Sequence, residues 1–162
     1  MLPPPPWLLV ADDLTGACDA AAAFALHGFS TEVVWGRPAA LDSPAELLAV
    51  STETRDAADA EAAEAVGRVV RRSGRRVIYK KLDSVLRGPV AAELAAAREA
   101  AGYERVALCP ALPEQGRSVR GGRVFVGEEP LPADLPDAPW LDVLDAATPN
   151  DLDRIAGGLA AS

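Results

Sequence analysis

Basic residues are the scarcer charged class in this sequence, and their shortage argues against a nucleic-acid partner. The 162 residues include 16 Lys and Arg against 24 Asp and Glu, which gives a formal net charge of −8. Proteins that bind nucleic acid normally show the opposite balance, because they must neutralise phosphates. We therefore expect no nucleic-acid partner.

Histidine, cysteine and long apolar runs are also scarce. One histidine and two widely separated cysteines, Cys18 and Cys109, match neither a zinc site nor a disulfide framework. We predict no metal site and two buried, reduced cysteines. The apolar stretch after Met1 has no basic segment before it and is interrupted by Asp12 and Asp13, so it fits neither a signal peptide nor a membrane span. The expected location is the cytoplasm, with no membrane partner.

Nucleotide-binding motifs are missing as well. The sequence contains no G-x-x-x-x-G-K-[ST] and no G-x-G-x-x-G after a predicted strand. These are the two common loops whose backbone amides cradle phosphates at the start of a helix. We therefore expect no cofactor to be bound by this chain itself.

Alternating apolar strands and helical segments are what the sequence does contain. This alternation predicts an α/β fold with an open, largely parallel sheet and helices on both faces. At this length we expect a single domain over residues 1–162. The predicted strands are 7–10, 30–35, 46–51, 76–81, 105–109 and 142–145, with a hairpin piece at 123–126 and an irregular stretch at 128–140. The predicted helices are 15–27, 57–73, 89–101 and a last one capped by Asn150 or Asp151.

Polar residues gather where four of the predicted strands end. Ligands of open parallel sheets bind beyond the carboxyl ends of the strands, so this rim is the predicted site. Strand alternation predicts that Lys81 faces the site and that Lys80 points away as a solvated charge. The alternative reading of Asp12 and Asp13 is that at least one caps the following helix. The rim residues are Asp12, Asp13, Thr52, Glu53, Thr54, Arg55, Lys80, Lys81, Asp83, Ser84, Arg87, Gln115, Arg117 and Ser118.

Two other polar features are interpreted as helix ends. Arg71, Arg72, Arg75 and Arg76 form the densest basic cluster and are predicted to be a solvated helix C-terminus. His27 precedes Gly28 and is predicted to lie in the last turn of the first helix, without a catalytic role.

Four stretches in this order resemble the four-carbon acid sugar kinase family, which contains D-threonate, D-erythronate and 3-oxo-tetronate kinases, in its N-terminal sugar-binding domain. They are ADDLTGACDAAAAFALHG (11–28), STETRDA (51–57), YKKLDSVLRGPVAAEL (79–94) and PALPEQGRSVRGGRVFVGEEPL (110–131). The paired patterns K-x-D-S-x-x-R-G and P-x-x-P-x-x-G-R make the resemblance specific. One departure is Val85, which stands where the family usually has a threonine.

The resemblance implies ATP-dependent phosphorylation of a sugar acid, with ATP and Mg²⁺ held by a nucleotide-binding domain in the same or another chain. We expect the present chain to be the substrate-binding part, shortened at its C-terminal end and inactive alone. The catalytic residues stay unassigned. The substrate-binding residues implied are Asp12, Asp13, Arg55, Lys81, Asp83, Ser84, Arg87 and Arg117.

Three alternatives stay open. The chain could be a stand-alone sugar-acid-binding or regulatory module, or a metal-dependent hydrolase using Asp12, Asp13 and Asp83. The third concerns Arg87, which we predict to neutralise the substrate carboxylate because its planar fork matches that group. An internal ion pair with Asp83 or Asp13 would instead only shape the loop.

Overall fold

The chain contains two compact units. The computed structural model describes residues 6–36, 41–75 and 77–161. The first unit comprises the described residues up to Asp83 together with Arg87–Tyr103, and the second comprises Ser84–Leu86 together with the described residues from Glu104 onwards.

A four-stranded parallel sheet forms the centre of the first unit. Its strands are β1 (Trp7–Ala11), β2 (Thr31–Trp35), β3 (Leu47–Ser51) and β4 (Val77–Lys81), in the spatial order β2-β3-β1-β4. Every residue of β1 and β3 is buried. Continuous apolar runs of this kind are expected for strands covered on both faces. The predicted open, parallel arrangement is confirmed.

Three helices cover the two faces of this sheet. α1 (Leu14–Leu26) packs on one face, and α2 (Asp59–Ser73) and α3 (Val90–Ala101) pack on the other. Successive residues of β1 alternate between the faces: Trp7 and Leu9 join the α1 core, whereas Leu8 and Val10 join the core under α2 and α3. The prediction of helices on both faces is therefore confirmed.

The second unit is built from short strands and one helix. β5 (Val106–Leu108) pairs in parallel with β9 (Leu141–Val143), and an antiparallel sheet has the order β6-β7-β8. Its small core includes Leu86, Val119 and Val124. The hairpin is larger than predicted, and a two-residue strand lies in the stretch predicted to be irregular. The remaining elements are β6 (Arg117–Arg120), β7 (Arg123–Val126), β8 (Glu129–Pro130) and α4 (Pro149–Ala161).

The start of α4 corrects the predicted cap. Thr148, and neither Asn150 nor Asp151, precedes the helix, and its Oγ1 accepts a hydrogen bond from the Asp151 amide at 3.2 Å. The Asp151 carboxylate accepts in return from the Thr148 amide at 2.9 Å, which makes a reciprocal capping box. The hydrogen bond from the Thr148 hydroxyl, followed by the two backbone amides, lowers the pKa of Asp151 to about 2.

Arg75 corrects the prediction of a solvated basic cluster. Arg71 and Arg72 are exposed near the end of α2, and Arg76 lies outside the described residues. Arg75, however, is buried, and its desolvation lowers the pKa of its guanidinium. It donates hydrogen bonds of 2.9–3.2 Å to the backbone carbonyls of Trp7, Ser43, Ala45 and Glu46. A side chain predicted to be surface charge therefore links β1 to the segment before β3.

The two cysteines are more exposed than the sequence predicted. Both cysteines are free, but Cys18 is exposed on α1 and Cys109 is partly exposed, so the prediction that they are buried was wrong. Cys18 is exposed because it lies on the side of α1 away from the sheet. Among the residues that the structure describes, no helix is long and apolar enough to cross a membrane.

We expect Arg75→Met to lower the free energy of unfolding by about 2–4 kcal/mol, because several buried carbonyls would lose a charged donor. The exposed neighbour provides the control: Arg71→Met is expected to change it by no more than about 0.5 kcal/mol. Urea unfolding followed by circular dichroism measures both variants. Equal effects would show that the Arg75 hydrogen bonds stabilise nothing.

Candidate functional site

Three loops of the first unit meet at the carboxyl edge of the parallel sheet. β1, β3 and β4 are neighbours, and their last residues Ala11, Ser51 and Lys81 are level in the sheet register. The loops after these strands carry Asp12 and Asp13, Thr52 to Arg55, and Asp83. The prediction that these polar residues converge is confirmed for the three loops that belong to this unit.

The guanidinium of Arg55 lies at the centre of this cluster. Its Nε and Nη2 donate to the two carboxylate oxygens of Asp12 at 2.8 and 3.1 Å, and its Nη1 donates to Asp13 Oδ2 at 2.6 Å. Asp83 Oδ1 lies 3.6 Å from Nη2. One arginine therefore joins carboxylates from two other loops.

Burial makes these charges depend on one another. The side chains of Asp12 and Asp83 are only 4% and 6% exposed, and that of Arg55 is 20% exposed. The hydrogen bond to Asp12 is the largest cause that raises the pKa of Arg55, and the charges of Asp12, Asp13 and Asp83 add to it. Charged groups this buried are costly without an opposite charge beside them, so the ion pairs with Arg55 offset part of the cost of burying the cluster.

Arg87 pairs with the third carboxylate. Its Nη2 lies 2.5 Å from Asp83 Oδ1, and its Nε donates to Asp83 Oδ2 at 3.0 Å. This hydrogen-bonded pair raises the pKa of Arg87. The internal ion pair considered from the sequence is thus present, yet the Arg87 side chain is 63% exposed. Its role toward a ligand stays a prediction.

Asp13 has a second partner in the helix that follows it. Its Oδ1 accepts a 2.7 Å hydrogen bond from the Gly16 amide at the start of α1, while its Oδ2 binds Arg55. The sequence alternative, that one of the two aspartates caps this helix, is therefore confirmed for Asp13. The same carboxylate lines the cluster, so the two readings do not exclude each other.

The two lysines at the end of β4 have different surroundings. Lys81 donates to the Leu82 carbonyl at 2.7 Å, at the level where the Asp12 loop leaves β1. Lys80 corrects the prediction of a solvated charge: its side chain is 5% exposed and its Nζ lies 2.8 Å from Glu93 Oε2. It is buried because α3 covers the face of the sheet toward which Lys80 points.

Ser84 and Arg117 belong to the second unit, so their predicted part in the same site stays a prediction. Arg117 Nη1 donates to the backbone and side-chain oxygens of Gln115 at 3.1 Å. Its buried Nε has no hydrogen-bond partner among the described residues.

Three residues near the cluster were missed or undervalued by the sequence analysis. Thr54 and Glu93 form a buried hydrogen bond, and Gly88 brings its backbone against Arg55. Glu93 could have been found, because it lies one helical turn before the buried Ala97 and a charged residue on a buried face needs a partner.

The cluster offers little to a metal ion. Within the described ranges, no group of three His, Cys, Asp or Glu side chains is arranged to hold one. The guanidinium of Arg55 occupies the space between the carboxylates that a hydrolase would need for its cation. The geometry therefore gives no support to the hydrolase alternative.

Comparison with known proteins identifies the family. A family profile described as the sugar-binding N-terminal domain matches residues 7–134. The chain belongs to this family. The sugar-binding domain is 46% identical over 132 residues to a D-threonate kinase of Bordetella bronchiseptica, which covers 76% of this chain and 33% of the relative. It is 35% identical over 127 residues to a 3-oxo-tetronate kinase of Burkholderia multivorans, which covers 74% of this chain and 30% of that protein. The chain thus spans about a third of the length of these curated relatives.

Solved structures resemble the sugar-binding domain over nearly its whole length. A domain of unknown function from Bordetella bronchiseptica, solved with bound citrate as a domain-swapped dimer, superimposes with a TM-score of 0.86 at 33% identity. The match covers 97% of this chain and 51% of that one. A Haemophilus influenzae protein matches with a TM-score of 0.69 at 27% identity, over 90% of this chain and 38% of its own.

Gly88 provides a test of how tightly the loops pack. Its φ is +88°, and a methyl group added there would lie 3.1 Å from the Arg55 carbonyl oxygen. Gly28 has nearly the same φ, +91°, but nothing within 4 Å of such a methyl group. We expect Gly28→Ala to cost about 1–2 kcal/mol of unfolding free energy from backbone strain alone. Gly88→Ala should cost about 1 kcal/mol more, because it also crowds the Arg55 backbone. Urea unfolding compares them, and equal losses would contradict the close packing.

Proposed function

We propose that the cluster around Arg55 binds a four-carbon sugar acid and that the chain is the substrate-binding part of an ATP-dependent kinase. The observation that carries this proposal is the meeting of three carboxylates and two arginines at the carboxyl edge of the sheet. Carboxylate oxygens accept hydrogen bonds from hydroxyl groups, and a guanidinium binds a carboxylate. A polyhydroxy acid contains both of these ligand groups.

The hydrogen-bond partners of Arg55 and Arg87 indicate different roles for the two arginines. Arg55 is engaged by Asp12 and Asp13 through Nε, Nη1 and Nη2, so it serves to hold the two aspartates. Among the described residues, the guanidinium of Arg87 binds Asp83 through Nε and Nη2, which leaves Nη1 and the exposed edge of the group for a ligand carboxylate. Lys81 and Ser84 are the further polar groups proposed for this ligand, and Arg117 is proposed from the resemblance alone.

The relatives support the choice of ligand class. Two of the relatives are a D-threonate kinase and a 3-oxo-tetronate kinase. The Bordetella bronchiseptica structure contains citrate, which is also a hydroxy acid. In the proposed reaction, the domain would hold the acid and orient one of its hydroxyl groups for phosphorylation. Asp13, whose side chain is 26% exposed, would accept a hydrogen bond from a sugar hydroxyl, and the more buried Asp12 and Asp83 would contribute by holding Arg55 and Arg87 in place.

The cluster does not fit a nucleotide. Three carboxylates would repel a triphosphate, and the loops lack the glycine-rich turn that presents backbone amides to phosphates. We therefore propose that ATP and its Mg²⁺ are held by polypeptide outside residues 1–162, in the same or another chain. A stand-alone binding module without catalysis would use the same site and differ only in lacking that partner.

Ligand-induced stabilisation tests the assignment of the two halves. At a hundredfold excess over its dissociation constant, a cognate acid should stabilise the domain by about 2.7 kcal/mol, which raises the melting temperature by several degrees. We expect this shift with D-threonate, D-erythronate or a related acid, and none with ATP. The four-carbon polyols threitol and erythritol, which lack the carboxylate, are the matched control. Saturable binding of ATP with no response to any acid would contradict the proposal.

Conservative arginine variants separate the two proposed roles. Arg87→Lys should weaken acid binding about tenfold or more with little change in melting temperature, because an exposed bidentate group is lost. Arg55→Lys should lower both stability and affinity, because Lys cannot bridge Asp12 and Asp13. Isothermal titration calorimetry and thermal unfolding give the two quantities. If Arg87→Lys binds the acid normally, or loses stability and affinity together, Arg87 is structural and its proposed ligand role is wrong.

A further inference from the structure

A buried polar network lies directly beneath the proposed site. Glu93 on α3 is 2% exposed, and its Oε1 accepts a 2.6 Å hydrogen bond from the Thr54 hydroxyl. Its other oxygen, Oε2, pairs with Lys80 Nζ at 2.8 Å. The Thr52 hydroxyl lies 2.7 Å from that of Thr54 and 3.0 Å from the Ala11 carbonyl, and it can donate its single proton to either of them. The network thus runs from α3 to the end of β1.

An ion pair this deeply buried needs an explanation other than stability. Removing two charges from water costs free energy that their attraction often fails to recover, and apolar side chains of similar volume are frequently as stable or more so. An apolar residue at position 93 could fill the same space but could not accept a hydrogen bond from Thr54. Glu93 therefore differs from a leucine or methionine in that it can bind the hydroxyl of Thr54, the residue directly before Arg55.

The backbone around Thr54 is strained and depends on its surroundings. Glu53 has a φ of +53°, a conformation that costs free energy for a residue other than glycine and persists where its environment enforces it. On the far side of this turn, the amides of Thr54 and Arg55 donate to the Asp12 carbonyl at 2.9 and 3.3 Å. The Thr54 hydroxyl links this turn to α3 through its hydrogen bond to Glu93. Losing that link would leave this end of the strained turn held by its backbone hydrogen bonds to Asp12 without support from α3.

We propose that Glu93 is a positioning residue for the sugar-acid site. It acts through Thr54, whose hydroxyl it holds, to fix the backbone that places the Arg55 guanidinium between Asp12 and Asp13. Lys80 Nζ contacts the other oxygen of Glu93 at 2.8 Å and so orients the side chain. The inference rests on the proposed function, because the site that it positions is the one proposed to bind the acid.

The first experiment removes the hydroxyl and keeps the shape. Thr54→Val should weaken binding of the cognate sugar acid about tenfold, and Thr54→Ser, which keeps the hydroxyl, should bind within about twofold of the parent chain. Arg75→Met is the matched control, because its contacts are at the amino ends of β1 and β3 and it is expected to lose stability without losing affinity. Titration calorimetry is run at a temperature at which every variant is folded. Equal weakening by Thr54→Val and Arg75→Met would overturn the proposal.

A second pair of variants separates the hydrogen bond from the charge. Lys80→Met combined with Glu93→Gln removes both charges but leaves an amide oxygen that can accept from Thr54. Lys80→Met combined with Glu93→Leu removes the acceptor as well. The first double variant should bind the acid within about twofold of the parent chain and the second about tenfold more weakly. Identical affinities in the two double variants would show that Glu93 does not act through Thr54.

Amide hydrogen exchange makes the proposal testable even if no acid binds. In the ligand-free protein, the amides of Thr54 and Arg55 should exchange about tenfold faster in Thr54→Val than in the parent chain, while amides of β2 keep their rates. If the parent chain binds no acid but this acceleration is seen, the proposed function fails and the positioning role stands. Unchanged exchange at both amides would overturn the positioning role regardless of any ligand.

Discussion

The interaction between Arg55 and its aspartates is the constraint on which the rest of the site depends. Asp12 and Asp83 are almost fully buried, and without a cation their charges would repel each other and resist desolvation. Arg55 supplies that cation. Its planar guanidinium binds Asp12 through two nitrogens and Asp13 through the third. A lysine has one nitrogen and could not span the same two groups. One side chain therefore contacts carboxylates from both of the other loops.

The parallel sheet makes that interaction possible by setting the heights of the loops. Because Ala11, Ser51 and Lys81 are level, the first residues beyond each strand start from one edge. The buried Lys80–Glu93 pair and the Thr54 hydroxyl lie just below this edge, and the carbonyl contacts of Arg75 secure the opposite end of β1 and β3. Rigid support of this kind is what a site needs in order to hold polar groups at fixed positions.

The charge of the cluster supports our proposal that this chain binds the sugar acid and that another part of the kinase binds the nucleotide. Three carboxylates close to two guanidiniums suit a small ligand with hydroxyl groups and one carboxylate, and they disfavour a triphosphate. The chain spans about a third of the curated kinases that it matches, so polypeptide beyond this length is available in those relatives for a nucleotide. Ligand choice and phosphate binding would then be properties of different parts of a kinase.

The sequence alone predicted the parallel sheet with helices on both faces and the edge at which the charged residues lie. The apolar runs of β1 and β3, and the helices between strands, determined a parallel sheet covered on both faces, because such runs are stable only when both sides are buried. The placement of Asp12, Asp13, Arg55 and Asp83 just after strands determined that they share one edge. The tertiary structure alone decided which charges pair. From the sequence, Lys80 is predicted to be a surface lysine, but in the fold Glu93 of α3 pairs with it. Arg75 is predicted to be part of a solvated helix end, but in the fold it binds four backbone carbonyls. These partners are distant in the sequence, and local periodicity carries no information about which side chains from different elements come into contact.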